Sequence, residues 1–239
     1  MSSMSTILVS PEPFFPRGVL ASVRVGDTPH RPGSEVDDFA APGLHEAERQ
    51  LAASLSAAQR PGFVAGRQAL RAALQQLVPD HPIAPVLRTH RGAPLLPPGL
   101  TGSVSHKRER AIAVASPSTG DIVGVDLEER PQEKDLARHS IADRILTRHE
   151  LERLEGLDEL AHREATLVHF ALKEAVYKSI DPHVERYVGF TEVELDLRDD
   201  GSAAVRLQLP EARVRTMIVD AHWRLDGRWI IAMARSFRP

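Results

Sequence analysis

The 239-residue chain has no cysteine, which removes disulfides, thiolate metal sites and cysteine nucleophiles together. It also removes the commonest mark of a secreted protein. Aromatic residues make up only 5% of the chain, with two Trp, two Tyr and seven Phe, too few for a stacking platform along single-stranded nucleic acid. The net charge of −3 sets up no bulk field for a polyanion, so any anion site has to come from a local cluster. No window approaches the roughly 20 apolar residues of a membrane span. The opening "MSSMSTILVSPEPFFPRG" lacks a basic region followed by an apolar core, so no signal peptide is expected and the expected location is cytoplasmic. Missing motifs narrow the chemistry further: there is no P-loop, no G-x-G-x-x-G, no H-E-x-x-H and no G-x-S-x-G.

What remains is a soluble composition, 42% hydrophobic and 26% charged, in a length that suits one large domain or two small ones. A β-like run at 19–25 leads into a polar loop, "GDTPHRPGSEVDD". Ser56 to Gln59 reads as a capping box, opening a helix through "FVAGRQALRAALQQLV" that carries Arg60, Arg67 and Arg71 on one face. Short strands and turns follow over 83–100. Strands are expected at "TGSVSH", at "AIAVAS" and, after the turn "PSTGD", at "DIVGVDLEER". Thr147 to Glu150 is a second capping box, and a long helix is expected from about 161 to 180, closed by "DP". The remainder reads as strands. Helices and strands mix in both halves, without a sequence repeat.

Several clusters bear chemistry. In a strand, Asp126 and Glu128 point to the same side, either as solvated edge acids or as oxygen ligands for a hard cation such as Mg²⁺. Glu174 and Lys178 are one helical turn apart on the face that also carries Phe170. They form either a plain surface pair or part of a packed site. Ser105 and His106 are neighbours, so in a strand they face opposite ways and cannot act as nucleophile and base. With Arg91 and Lys107 nearby, that strand end suits either a phosphate or a structural histidine. The Arg60, Arg67 and Arg71 face is a solvated stripe or part of a polyanion clamp.

In order, "RPGFVAGRQALRAAL", "RGAPLLPPGLTGSVSHK", "VGVDLEER" and "HFALKEAVYKSI", with "RYVGF" behind, resemble the 4′-phosphopantetheinyl transferase superfamily over about residues 44–195. The likeness is to the monomeric two-half type that activates siderophore, polyketide and nonribosomal peptide synthases. The resemblance implies an α+β fold, a pair of similar halves (1–118 and 119–239) with the active site in the cleft between them. The first half would hold the 3′-phosphate and adenine end of coenzyme A. The second would hold magnesium and pyrophosphate and dock the carrier through about 129–157. It further implies Asp126, Glu128 and Glu174 as ligands of Mg²⁺, with Mn²⁺ as a possible substitute. Ser105 and His106, with Arg91, Arg60 and Arg67, would hold the 3′-phosphate end, and Lys173 and Lys178 would lie near the pyrophosphate. Asp126, Glu174 and Lys178 are the catalytic set. Tyr187 falls where an aromatic is common, while Phe170 and Ala93 depart from the Trp and Lys of many members. The activity implied is transfer of 4′-phosphopantetheine from coenzyme A to a serine of an acyl- or peptidyl-carrier protein, releasing 3′,5′-ADP. The alternatives are a coenzyme A- or nucleotide-binding regulatory module and a metal-dependent phosphohydrolase.

Overall fold

The computed structural model describes residues 7–15, 17–25, 43–80, 83–135, 139–210 and 216–238. The loop expected at 26–38 and the first residues of the strand segment expected from 213 lie outside them. The chain divides into two compact units, Met1–Thr119 and Gly120–Pro239. Each is α+β, one antiparallel sheet with a long helix on one face.

In the first unit the strands are β1 (Ile7–Glu12), β2 (Gly18–Arg24), β3 (Leu100–Lys107) and β4 (Arg110–Pro117), in the order β1-β2-β4-β3. Helices α1 (Glu46–Ala53) and α2 (Arg60–Leu77) precede β3. Alanines at 65, 69 and 73 of α2 meet alanines at 21, 111, 113 and 115 of the sheet, so helix and sheet approach closely around Leu70 and Leu74. Each fully buried leucine contributes about 1.5–3 kcal/mol.

The second unit contains β5 (Ile122–Glu129), the short helices α3 (Ala142–Ile145) and α4 (Arg148–Arg153), α5 (Glu159–Val184), and strands β6 (Val193–Leu197), β7 (Ser202–Leu207), β8 (Ile218–Asp226) and β9 (Trp229–Phe237). The strand order is β5-β9-β8-β7-β6. Val168, Leu172, Val176 and Ile180, on one stripe of α5, pack on Ile230, Ala232 and Ala234 of β9.

Four local readings differ from the sequence expectation. Strand β1 pairs along its length with β2 despite Pro11, which an edge strand tolerates because it has no outer neighbour to bond. No sequence signal predicts helix α1; His45 caps it and Glu48 completes a capping box. Ser56 does not cap α2. Its hydroxyl bonds the Gln59 side chain, and the helix begins at Arg60 with Pro61 in its first turn. Helix α5 runs through Pro182 and ends one turn later, where the Glu185 amide bonds the Asp181 carbonyl and Glu185 turns left-handed at φ 56°. The Thr147 capping box forms as its spacing requires.

Candidate active site

Strand β5 passes so close to α5 that a Cβ on Gly124 would stand 1.9 Å from the Ala175 carbonyl oxygen. Side chains alternate along a strand, so Asp126 and Glu128, two and four residues on, share the face Gly124 turns to the helix. Both acids are buried, each 6% exposed. Lys178 reaches back from α5, its Nζ donating to Asp126 Oδ1 at 2.7 Å and to the Val125 carbonyl at 2.9 Å. Glu174 lies one turn earlier on the same helix. Burial pushes its carboxyl above the usual range; the Asp126 charge pushes the same way, and Lys178 pulls it back. A cation, a paired acid and a carboxyl poised to take a proton therefore share one patch of the second unit.

Among the described residues, no three His, Asp or Glu side chains gather closely enough to hold a metal ion. Asp126, Glu128 and Glu174 thus do not form a closed cage. Mg²⁺ does not require one, since it binds one or two carboxylates and completes its shell with phosphate oxygens and water. Asp126 and Glu174, whose carboxyl is pushed up by burial and then by the Asp126 charge, fit that partial donor set.

Lys173, next to Glu174 on α5, lines the same cleft as that acid but is almost wholly enclosed. It is 1% exposed, and its three ammonium protons go to Glu150 Oε2 at 2.6 Å, the Ile145 carbonyl at 2.8 Å and the Phe190 carbonyl at 3.1 Å. Burial lowers its pKa and Glu150 partly restores it. A side chain with every donor committed inside the fold has none to offer a substrate. Phe170 packs against Phe190 with ring centroids 5.4 Å apart, so the Trp-to-Phe departure changes packing. Tyr187 is 70% exposed, with its ring 6.2 Å from that of Tyr177. The two tyrosines, Glu174 and Val188 line a cleft in this unit.

In the first unit, β3 runs along α2 in step with it. Four helical residues rise about 6 Å and two strand residues about 6.6 Å, so positions 102, 104 and 106 meet helix positions 70, 66 and 62 in turn. The His106 ring lies over Gly62, where an added Cβ would stand 2.6 Å from Cε1 and Nδ1. His106 is exposed at the strand end, whereas Ser105 is buried on the opposite face. Arg91 rides a tight turn in which the Gly92 amide bonds the Thr89 carbonyl, with Gly92 at φ 90°.

The three arginines of α2 do not form a solvated stripe. Arg60 donates to the carbonyls of Ala52, Ala53 and Leu55 and so closes the end of α1. Arg71 bonds Glu48 and the carbonyls of Ile83 and Ala84. Arg67 is 4% exposed. Its guanidinium lies 4.8 Å from the Phe63 ring centre, and Arg88 lies 4.7 Å from the same ring. Burial, reinforced by Arg88, lowers the Arg67 pKa to about 10.

Motifs in the sequence single out neither Gly62 and Gly124 nor Arg88, and they mark Glu150 only as part of a helix cap. A glycine inside a helix or strand signals close approach, and that signal was present for the first two. Nothing in the sequence marked Arg88, which meets Phe63 only through the fold.

Comparison with known proteins identifies the family of the chain. A family profile described as the 4′-phosphopantetheinyl transferase superfamily matches residues 122–234, and one described as the 4′-phosphopantetheinyl transferase N-terminal domain matches 47–116. The 4′-phosphopantetheinyl transferase Npt of Nocardia iowensis is 32% identical over 195 residues, 79% of this chain and 84% of that protein. The chain belongs to the 4′-phosphopantetheinyl transferase superfamily. It has the two-domain organisation and is an enzyme of the transferase class. The transferase PptT of Mycobacterium tuberculosis is 29% identical over 65% of this chain and 66% of its own length. Among solved structures, the Chronobacterium ammoniagenes ACPS–CoA complex overlaps 50% of this chain and 98% of its own, at 18% identity and a TM-score of 0.41.

Proposed function

We propose that the protein transfers 4′-phosphopantetheine from coenzyme A to a serine hydroxyl of an acyl- or peptidyl-carrier protein, in a magnesium-dependent reaction. The serine oxygen attacks the pantetheine-bearing phosphorus of the pyrophosphate. A new P–O bond forms, the bridging P–O bond breaks, and 3′,5′-ADP leaves. The observation that carries this reading is the patch on β5 and α5: Asp126 held by Lys178, beside a Glu174 carboxyl whose proton affinity is raised.

Glu174 takes the serine proton, directly or through a water. Lys178, 27% exposed at its side chain, keeps an ammonium at the surface of the patch to meet charge on the departing phosphate. Asp126 orients that ammonium. Magnesium held by Asp126 and Glu174, with Glu128 alongside, would supply positive charge to the pyrophosphate. In the first unit, His106 on its glycine bed and Arg91 are the candidates for the 3′-phosphate, with Arg67 behind them; Ser105 faces the other side of β3 and Arg60 closes the end of α1, so neither is assigned to it. The protein is expected to act as a monomer. Among the described residues, no helix is long and apolar enough to cross a membrane.

The test is to incubate the protein with coenzyme A, Mg²⁺ and an apo carrier, then weigh the carrier. Carrier gaining the mass of one phosphopantetheine supports transfer. Coenzyme A binding without mass gain points to a regulatory module, and coenzyme A cleavage that needs no carrier points to a hydrolase.

A further inference from the structure

The two units share a device that the function above does not use. In the first unit Glu48, fully buried, is the third residue of the α1 capping box. Its Oε2 accepts from the His45 amide at 2.7 Å and from Arg71 at 3.2 Å, and its Oε1 accepts from the distant Val86 amide at 3.1 Å. In the second unit Glu150, fully buried, is the third residue of the α4 capping box. Its Oε2 accepts from the Thr147 amide at 2.7 Å and from Lys173 at 2.6 Å, and its Oε1 accepts from the distant Leu195 amide at 2.7 Å. The correspondence holds atom for atom. In both units the cation on the long helix lies 23 residues after the glutamate.

Lys173 is therefore the counterpart of Arg71, which spends its remaining bonds on the Ile83 and Ala84 carbonyls. A cation placed by the shared fold plan, filled by carboxylate and carbonyls, is explained without any substrate. The second unit adds one thing. Lys173 also holds the Phe190 carbonyl, and residues 187–190 line a cleft together with Lys173 itself, Glu174 and Tyr177, so the ammonium sits at the back of the cleft with its protons turned to Glu150 and two carbonyls. The ion pair thus ties α4, α5, β6 and the cleft wall into one frame next to the base.

We propose that Lys173 is a positioning residue: with Glu150 it fixes the cleft wall and the helical turn bearing Glu174, and it does not contact the pyrophosphate. Of the two lysines of K-E-A-x-x-K, only Lys178 then serves the substrate. This rests on the transferase reading.

Transfer by the wild-type protein to an apo carrier is measured first; if none occurs, it is that reading which fails. With wild-type transfer in hand, Lys173→Met leaves Glu150 buried without its cation, and kcat falls on the order of 10²-fold as the frame loosens. The pair replacement Lys173→Met with Glu150→Gln removes both charges and keeps an acceptor for a capping amide. It recovers transfer to within about tenfold of wild type, with KM for coenzyme A within about threefold. A double variant that folds but stays as slow as the single one, with KM for coenzyme A raised tenfold or more, overturns the proposal. A second readout needs no variant. In wild-type protein the Lys173 ammonium resonance stays in place when coenzyme A is added, while that of Lys178 moves. A Lys173 shift as large as that of Lys178 refutes the assignment.

Discussion

Replacing Gly124 by alanine probes the contact on which the candidate site is built. The new Cβ would enter the hydrogen-bonded turn of α5, 1.9 Å from the Ala175 oxygen, 2.9 Å from its carbonyl carbon and 3.0 Å from the Ser179 amide nitrogen. These are backbone atoms of a helix and cannot swing aside. To reach ordinary contact at 3.4 Å, strand and helix have to part by about 1.5 Å. Overpacking of this kind costs roughly 1–3 kcal/mol, and with backbone on both sides the upper end applies. The same movement carries the 2.7 Å Lys178–Asp126 bond beyond hydrogen-bonding reach. Misplacing a reacting group by about 1 Å costs on the order of 10²-fold in rate. Urea unfolding should therefore show Gly124→Ala less stable by about 3 kcal/mol, and initial-rate assays should show kcat lower by about 10²-fold. Gly189→Ala, whose Cβ would meet only Glu192 Oε2 at 3.7 Å, should change stability by no more than about 0.5 kcal/mol. Equal stability of Gly124→Ala and wild type would refute the close approach of β5 and α5, and with it the placing of Asp126.

Glu174→Gln should abolish transfer yet raise stability at neutral pH. A carboxyl whose folded pKa is raised favours the fold fully below its unfolded value, near 4.5, and loses that contribution as pH rises through the folded pKa. The gain over wild type seen in urea midpoints at pH 7.5 should accordingly vanish at pH 4, and a gain that persists there would contradict the burial of an ionisable base. Gly62→Ala should displace the His106 ring and raise KM for coenzyme A as His106→Ala does, with kcat little changed; an unaltered KM in both counts against the phosphate role. Arg71→Met should destabilise the first unit by about 3 kcal/mol through the stranded Glu48 carboxylate, as measured by urea unfolding. A loss under 1 kcal/mol would show that Glu48 is adequately held by the two backbone amides alone.

The sequence marked the acids well and the cations poorly. That Asp126 and Glu128 share one face of β5, and Glu174 and Lys178 one face of α5, follows from period alone, two residues on a strand and four on a helix; Asp126 and Lys178 meet once the strand packs on the helix. Lys173, expected near the pyrophosphate, and Arg71, expected on a basic face of its helix, each reach a glutamate of the preceding helix, a partner that no local pattern records. Each is buried by a glutamate from a distant capping box. The box was visible at Thr147 and invisible at His45, a rarer cap. Arg60 illustrates the same limit, since its spacing suggested a basic stripe while its donors close the end of α1. Residues that close helix ends or meet long-range partners are set by tertiary packing, and no local pattern records that. Gly62 and Gly124 lie between the two cases. Their presence inside regular elements was legible, but which atoms approach them was not.

The central claim is that the β5–α5 patch performs phosphopantetheinyl transfer. Mass spectrometry of an apo carrier incubated with coenzyme A and Mg²⁺, with wild-type protein and with Glu174→Gln in parallel, tests it most directly. Wild type should convert the carrier to the mass of its phosphopantetheinylated form and Glu174→Gln should leave it unchanged, while conversion by both at similar rates would contradict the claim.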